Sequence, residues 1–131
     1  MDKTQLKKIK SVFSKYPSVK LAYFFGSKKR KDDSPMSDYD FAVYLNKKDN
    51  KKILETRLSL FADLTKILKT DKIDILAIDQ IKQPELKFSI IKEGELIFER
   101  EPYKVVIEPK IMNEYFDFRM TLFKNGLIKE L

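Results

Sequence analysis

The sequence has 131 residues, of which 43% are hydrophobic, and this suits one globular domain rather than two domains or a disordered chain. It contains no cysteine and no histidine, which excludes disulfides, zinc sites built from thiolates or imidazoles, and serine or cysteine nucleophiles activated by a histidine base. The formal net charge of +7 favours anionic partners such as nucleotides, nucleic acid or an acidic protein surface, and it fits a solvated lysine-rich surface equally well.

Hydrophobic spacing and turn residues predict an alternation of helices and strands along the chain. In order, we expect a helix over Lys3–Tyr16, a strand over Val19–Phe25, a charged loop over Lys28–Ser37, a strand over Asp38–Leu45, a helix over Asn50–Lys69, a strand over Lys72–Ile78, a helix over Pro84–Glu93, a strand over Glu95–Glu99 and a helical tail from about Tyr103, with Pro109 and Gly126 as the expected sites of a kink and a break.

This order of elements predicts a small α/β or α+β fold, in which a mixed β-sheet carries helices mainly on one face. We expect residues 1–131 to form one domain whose helical tail begins at about residue 103. No stretch approaches the roughly 18 apolar residues of a membrane helix, and the N-terminal segment lacks the apolar run of a secretory signal. We therefore expect a soluble, cytoplasmic protein.

Two aspartates stand at the beginning of an otherwise apolar strand. Side chains alternate between the faces of a strand, so Asp38 and Asp40 share one face, which we expect to be the face without helices. Two carboxylates about 6.6 Å apart repel by roughly 2–3 kcal/mol at an effective dielectric constant near 20, and a divalent cation between them would relieve this repulsion. The alternative is that both are exposed strand-edge residues that deter aggregation.

A third aspartate, Asp74, lies in the segment Lys72–Ile78, which is otherwise typical of a buried strand. An ionised carboxylate in such a strand is costly unless it is paired or bound to a cation. If this strand lies beside Asp38–Leu45, Asp74 can reach the same cation; otherwise it is an aspartate at a solvated strand end. Asp32, Asp33, Asp71 and Asp79 are read as solvated loop residues.

The first strand ends in Gly26-Ser27, ten residues before the aspartate pair. A glycine at this point lets the backbone approach a ligand closely, and the following amides and the Ser27 hydroxyl can hold phosphate oxygens. Among the basic residues that follow, Arg30 is the best candidate for a phosphate contact, because a guanidinium matches phosphate bidentately. As an isolated dipeptide Gly-Ser is a common turn, and a charge run is commonly a solvated loop.

Taken together, Gly26, Ser27, Asp38, Asp40 and a later Asp74 resemble the nucleotidyltransferase superfamily whose fold is shared with DNA polymerase β. The segments Ser37–Val43, Lys72–Leu76 and Gly94–Glu99 and the tail around Tyr115–Phe118 are similar to the minimal nucleotidyltransferases (MNT), the antitoxins of HEPN–MNT toxin–antitoxin pairs. The resemblance covers most of the chain.

The resemblance implies transfer of AMP from ATP, with two Mg²⁺ ions, to a hydroxyl group, which in these antitoxins is a tyrosine of the cognate HEPN toxin. It implies that Asp38, Asp40 and Asp74 hold the metal ions, that Asp74 can act as the base, and that Gly26 and Ser27 bind the β- and γ-phosphates. The family often continues Gly-Ser-x-Ala-Arg-Gly. Here Arg30 matches, but lysines replace the small residues.

Two other functions remain open from the sequence. The chain could neutralise a toxin by contact alone, through the aromatic tail of Tyr115, Phe116, Phe118 and Phe123, although these residues could equally complete its own core. It could also transfer a nucleotide to a small molecule or to RNA. Little chain remains for a domain that holds a small acceptor, and the basic segment Gly26–Ser37 lacks the aromatic residues expected for RNA binding, so nucleic acid is not the expected main partner.

Overall fold

The computed structural model describes residues 2–26 and 39–131. They form four helices and four strands: α1 (Lys3–Ser14), β1 (Leu21–Gly26), β2 (Tyr39–Tyr44), α2 (Asn50–Leu68), β3 (Ile73–Ala77), α3 (Pro84–Glu93), β4 (Glu95–Glu99) and α4 (Tyr103–Lys124), with a short 3-10 helix at Ile78–Gln80 after β3. Each predicted helix and strand is present, and the bounds of α3 and β4 are those that the sequence predicts.

The strands form one mixed sheet in the order β3-β2-β1-β4. β1 pairs with both β2 and β4 in antiparallel fashion, whereas β2 and β3 run parallel. The parallel pair requires a crossover connection, and α2 supplies it. The sheet is therefore mixed, as expected, and β3 and β4 form its edges.

Helices cover both faces of this sheet. On one face, α1 and α2 enclose a core that includes Phe13, Phe41, Val43, Leu60 and Leu64. On the other, α3 and α4 pack over a second cluster, whose buried members are Leu21, Tyr23, Ala42, Ile78, Ile90, Ile107 and Ile111. The predicted fold class is confirmed, and the helices are divided more evenly between the faces than the sequence suggested.

The helix ends follow local chemistry. The Asp2 carboxylate accepts the Gln5 N–H at 2.7 Å, and the Asp49 carboxylate accepts the Lys51 N–H at 3.0 Å, so each aspartate caps the helix that follows it. Pro84 begins α3, where its missing N–H costs nothing. α2 ends as Lys69 adopts a left-handed conformation with φ of 56°.

α4 runs without interruption from Tyr103 to Lys124, with Pro109 inside it, and it ends before Gly126, where the sequence predicts a break. Its first half supplies Ile107 and Ile111 to the core, whereas its second half is largely exposed. Across residues 2–26 and 39–131, no helix is long and apolar enough to cross a membrane.

Candidate active site

The end of β1 and the beginnings of β2 and β3 meet at one end of the sheet. β1 ends at Gly26, which lies opposite Tyr39, the first residue of the antiparallel strand β2. Since β3 runs parallel to β2, its first residue, Ile73, also lies beside Tyr39. The backbone of Gly26 and the beginnings of β2 and β3 therefore lie together, as a shared ligand site would require.

Asp40 and Asp74 are register partners on the neighbouring strands β2 and β3. Adjacent strands lie about 4.8 Å apart, so the two carboxylates project side by side from the same face of the sheet. Like charges directly opposite each other destabilise a sheet. The two carboxylates therefore repel each other, and a cation held between them would reverse the sign of that interaction.

The two carboxylates differ in exposure. Asp40 is only 7% exposed, because β2 lies between β1 and β3. Asp74 is exposed, because β3 is an edge strand. The sequence argument that Asp74 is a costly buried charge is therefore wrong, and Asp40 is the buried member of the pair.

Three of the six predicted site residues, Ser27, Arg30 and Asp38, lie outside the described residues. Within the described ranges, no group of three or more aspartates, glutamates, histidines or cysteines is placed to hold a metal ion. The described part of the site therefore consists of the Gly26 backbone and the pair Asp40 and Asp74. Their oxygen donors suit a hard cation such as Mg²⁺.

An aromatic residue flanks this pair, and the sequence argument did not single it out. Phe25 of β1 is the register partner of Asp40 on the side away from Asp74, so that Asp74, Asp40 and Phe25 form one row across three strands. The Phe25 ring packs against Gly94: a Cβ built there would lie 2.8 Å from a ring carbon and 2.5 Å from the Ile90 carbonyl oxygen. The glycine after α3 thus makes room for the side chain beside Asp40.

Asp79 also has a role that differs from the solvated one expected of it. Its carboxylate accepts the backbone N–H groups of Leu45 at 2.8 Å and Lys47 at 3.1 Å. These two donors lie just beyond the C-terminal end of β2, whereas Asp40 lies near its beginning. Asp79 therefore fixes how the chain leaves β2, and periodicity along the sequence could not reveal this because its partners lie more than 30 residues away.

Comparison with known proteins agrees with this geometry. The family model described as "Polymerase beta, Nucleotidyltransferase" matches residues 7–103. The match spans α1 to the start of α4 and so includes Gly26, Asp40 and Asp74. The chain belongs to the polymerase beta nucleotidyltransferase family, and it is a nucleotidyltransferase of that class.

Solved structures with a similar fold are toxin–antitoxin proteins. A crystal structure of the MntA–HpeT toxin–antitoxin with two aspartates changed to glutamate is similar with a TM-score of 0.65 at 18% identity, covering 94% of this chain and 98% of that one. A toxin–antitoxin structure with AMP-PNP gives a TM-score of 0.65 at 20% identity, with the same coverage. MntA–HpeT with a tyrosine changed to alanine gives a TM-score of 0.63 at 18% identity, covering 98% of this chain and 99% of that one.

At these identities the likeness to the solved structures establishes the fold. No curated protein sequence matches the chain significantly.

Proposed function

We propose that this nucleotidyltransferase transfers AMP from ATP to a protein hydroxyl, a tyrosine of a cognate HEPN toxin, and that it acts as the antitoxin of that pair. The observation that carries the proposal is the side-by-side placement of Asp40 and Asp74, at the end of the sheet where β1 terminates in Gly26. Two carboxylates in register at this point provide the oxygen donors that a divalent cation requires.

The donor set fits Mg²⁺. Asp40 and Asp74 would hold the ions together with Asp38, which stands two residues before Asp40 in the sequence. Bound Mg²⁺ would supply charge neutralisation for the triphosphate and for the leaving pyrophosphate. The backbone at Gly26 and the side chains of Ser27 and Arg30 are the proposed contacts to the phosphates.

The difference in exposure suggests different roles for the two carboxylates. Asp40 is buried and held between two neighbouring strands, which suits a fixed ligand. Asp74 is exposed on an edge strand and can be reached by an acceptor from solvent. In the proposed reaction the acceptor oxygen forms a bond to the α-phosphorus, the bond from that phosphorus to pyrophosphate breaks, and the hydroxyl proton passes to Asp74.

A protein acceptor is supported by the exposed apolar surface of the C-terminal region. Of the 11 large hydrophobic side chains that are exposed in the described ranges, 8 belong to α4 or follow it. They are Val105, Val106, Met112, Phe116, Met120, Phe123, Leu127 and Leu131. Met112, Phe116, Met120 and Phe123 recur at intervals of three or four residues, so they share one side of α4, and such an apolar stripe can contact a protein partner. The fold is also that of solved toxin–antitoxin structures, one of them with AMP-PNP.

The same surface favours a second candidate function, in which the chain neutralises its toxin by contact alone. Phe116 is 53% exposed and Phe123 is 44% exposed, so these two rings are accessible to a partner, whereas Tyr115 stacks on Phe88 of α3 with ring centroids 4.1 Å apart. The two candidates differ in whether the carboxylates are needed. Contact requires α4, whereas transfer requires Asp40 and Asp74 as well.

A transfer assay separates them. The chain is purified with its partner and incubated with Mg²⁺ and ATP labelled at the α-phosphate, and the label on the partner is counted. We expect labelling on a tyrosine, and a loss of about 100-fold or more in rate for Asp40→Asn and for Asp74→Asn. Glu55→Gln, which removes one negative charge from an exposed position of α2, is the matched control and should label normally.

Protection of cells from the toxin gives the second readout. If the Asp40→Asn and Asp74→Asn variants bind the partner and lose both labelling and protection, transfer is the function. If they lose labelling but protect as well as the unchanged chain, contact suffices. Labelling that is undiminished in both variants would contradict the proposed site.

A further inference from the structure

A group of lysines surrounds two adjoining cavities at the end of the sheet opposite the carboxylates. The cavities have volumes of about 330 and 480 Å³, and Lys47, Lys48 and Asp79 line both of them. Lys82 lines the first, and Lys87 and Lys110 line the second. We call this feature the lysine cleft.

The acidic residues of the lysine cleft are already engaged. Asp79 accepts two backbone N–H groups, and Glu114 forms an ion pair with Lys87 at 2.8 Å. The other four lysines, Lys47, Lys48, Lys82 and Lys110, form no ion pair within the described part of the chain. Five lysines and two carboxylates line the two cavities, so the cleft carries an excess of positive charge and attracts anions.

The lysine cleft is separate from the candidate active site. β2 carries Asp40 near its beginning, whereas the cleft lies beyond its end, where Tyr44 is followed by Asn46, Lys47 and Lys48. Four residues of extended strand separate Asp40 from Tyr44, a distance of about 13 Å. A ligand in the cleft therefore does not contact Asp40 or Asp74, and the inference does not depend on the proposed function.

The surface chemistry favours phosphate groups over a protein segment. Protein interfaces depend on exposed apolar or aromatic anchors, and none of the large hydrophobic side chains that are exposed in the described ranges lines either cavity. The isoleucines at the floor of the cleft, Ile53, Ile78, Ile107 and Ile111, are buried. Lysine ammonium groups bind phosphate as point charges, without the fixed geometry of arginine.

We propose that the lysine cleft binds a run of consecutive phosphate groups. A single-stranded nucleic acid backbone and an inorganic polyphosphate both present this chemistry. Binding of this kind is insensitive to base sequence and weakens steeply with salt, because each phosphate that a lysine neutralises releases counterions.

The test measures fluorescence anisotropy of a labelled single-stranded thymidine oligonucleotide, with inorganic tripolyphosphate as competitor. Lys47→Glu/Lys48→Glu is compared with Lys7→Glu/Lys8→Glu, an adjacent pair of exposed lysines on α1, so that the total charge changes equally. We expect the first pair to weaken binding at least 10-fold and to reduce the salt slope, and the second pair to change affinity less than 3-fold. Lys82→Glu/Lys110→Glu, at exposed positions, is a second variant in case Lys47 affects folding.

Displacement of the oligonucleotide by tripolyphosphate would show that phosphate groups alone suffice for binding. Binding of the oligonucleotide without displacement would assign the cleft to nucleic acid. Either result supports the proposal. The proposal is overturned if neither probe binds, if both pairs of substitutions weaken binding equally, or if a polyglutamate peptide binds the cleft as tightly as the phosphate probes do.

Discussion

The Tyr23 hydroxyl, on β1, donates a hydrogen bond of 2.5 Å to Glu108 Oε2 on α4. Tyr23 is 1% exposed and lies under the cluster that α3 and α4 form. Burial, and then the hydrogen bond and charge of Glu108, raise the pKa of Tyr23 well above its usual value. This bond is a polar attachment between the centre of the sheet and the helix whose second half is exposed.

Tyr23→Phe should therefore lower the free energy of unfolding by about 1–3 kcal/mol, because it removes a hydrogen bond to a charged group and leaves Glu108 without this donor. Chemical denaturation measures the change. Tyr103→Phe is the matched control, since the described residues include no hydrogen bond of the Tyr103 hydroxyl, and it should change stability by less than about 0.5 kcal/mol. A Tyr23→Phe variant as stable as the control would show that the bond contributes nothing.

A second tyrosine predicts a pH dependence. Burial, and then the hydrogen bond and charge of Asp63, raise the pKa of Tyr16 from 10.0 to about 12. The folded chain keeps a proton that the unfolded chain releases, so the Tyr16 contribution to stability is complete below pH 10 and is lost as the pH rises through 12.

Tyrosinate absorbance checks this. The difference between the unchanged chain and Tyr16→Phe should titrate with a midpoint near pH 12, and Asp63→Asn should lower that midpoint. A midpoint at 10.0 that is unaffected by Asp63→Asn would mean that the bond to Asp63 does not form.

Gly94 and Phe25 predict an effect on the site itself. A methyl group at Gly94 would meet the Ile90 carbonyl oxygen at 2.5 Å, and this carbonyl accepts the Gly94 N–H. It would also displace the Phe25 ring, which stands beside Asp40 in the cross-strand row. Gly94→Ala should cost about 1–3 kcal/mol of stability and lower kcat/KM for AMP transfer.

Gly126→Ala is the comparison for that variant. Gly126 has φ of +71° and no atom near its Cβ position, so alanine there costs about 1 kcal/mol through left-handed strain. It should leave transfer unchanged. If both substitutions lowered kcat/KM equally, the packing of Phe25 on Gly94 would have no part in positioning Asp40.

Much of the fold follows from local pattern. Pro84 and Gly94 delimit α3, and the alternation of Phe41 and Val43 with Asp40 and Ala42 correctly separates the two faces of β2. These features depend on residues that are near one another in the sequence, so periodicity and capping chemistry are enough to predict them. The expectation that the face of Asp40 and Ala42 carries no helices is wrong, because α3 and α4 cover it.

What the sequence could not supply depends on partners far along the chain. The covering of the second face follows from the packing of Tyr23 on α4, and its partner Glu108 is 85 residues away. Exposure of Asp74 follows from the position of β3 at the sheet edge, which a strand pattern does not specify. The bonds from Leu45 and Lys47 to Asp79 are similarly distant.

The most direct test of the central claim is a crystal structure of the chain with Mg²⁺ and a non-hydrolysable ATP analogue. We predict that a carboxylate oxygen of Asp40 and one of Asp74 each lie about 2.1 Å from a magnesium ion that also contacts the phosphates. A triphosphate and magnesium bound with Asp74 outside the coordination sphere of every ion would contradict the account.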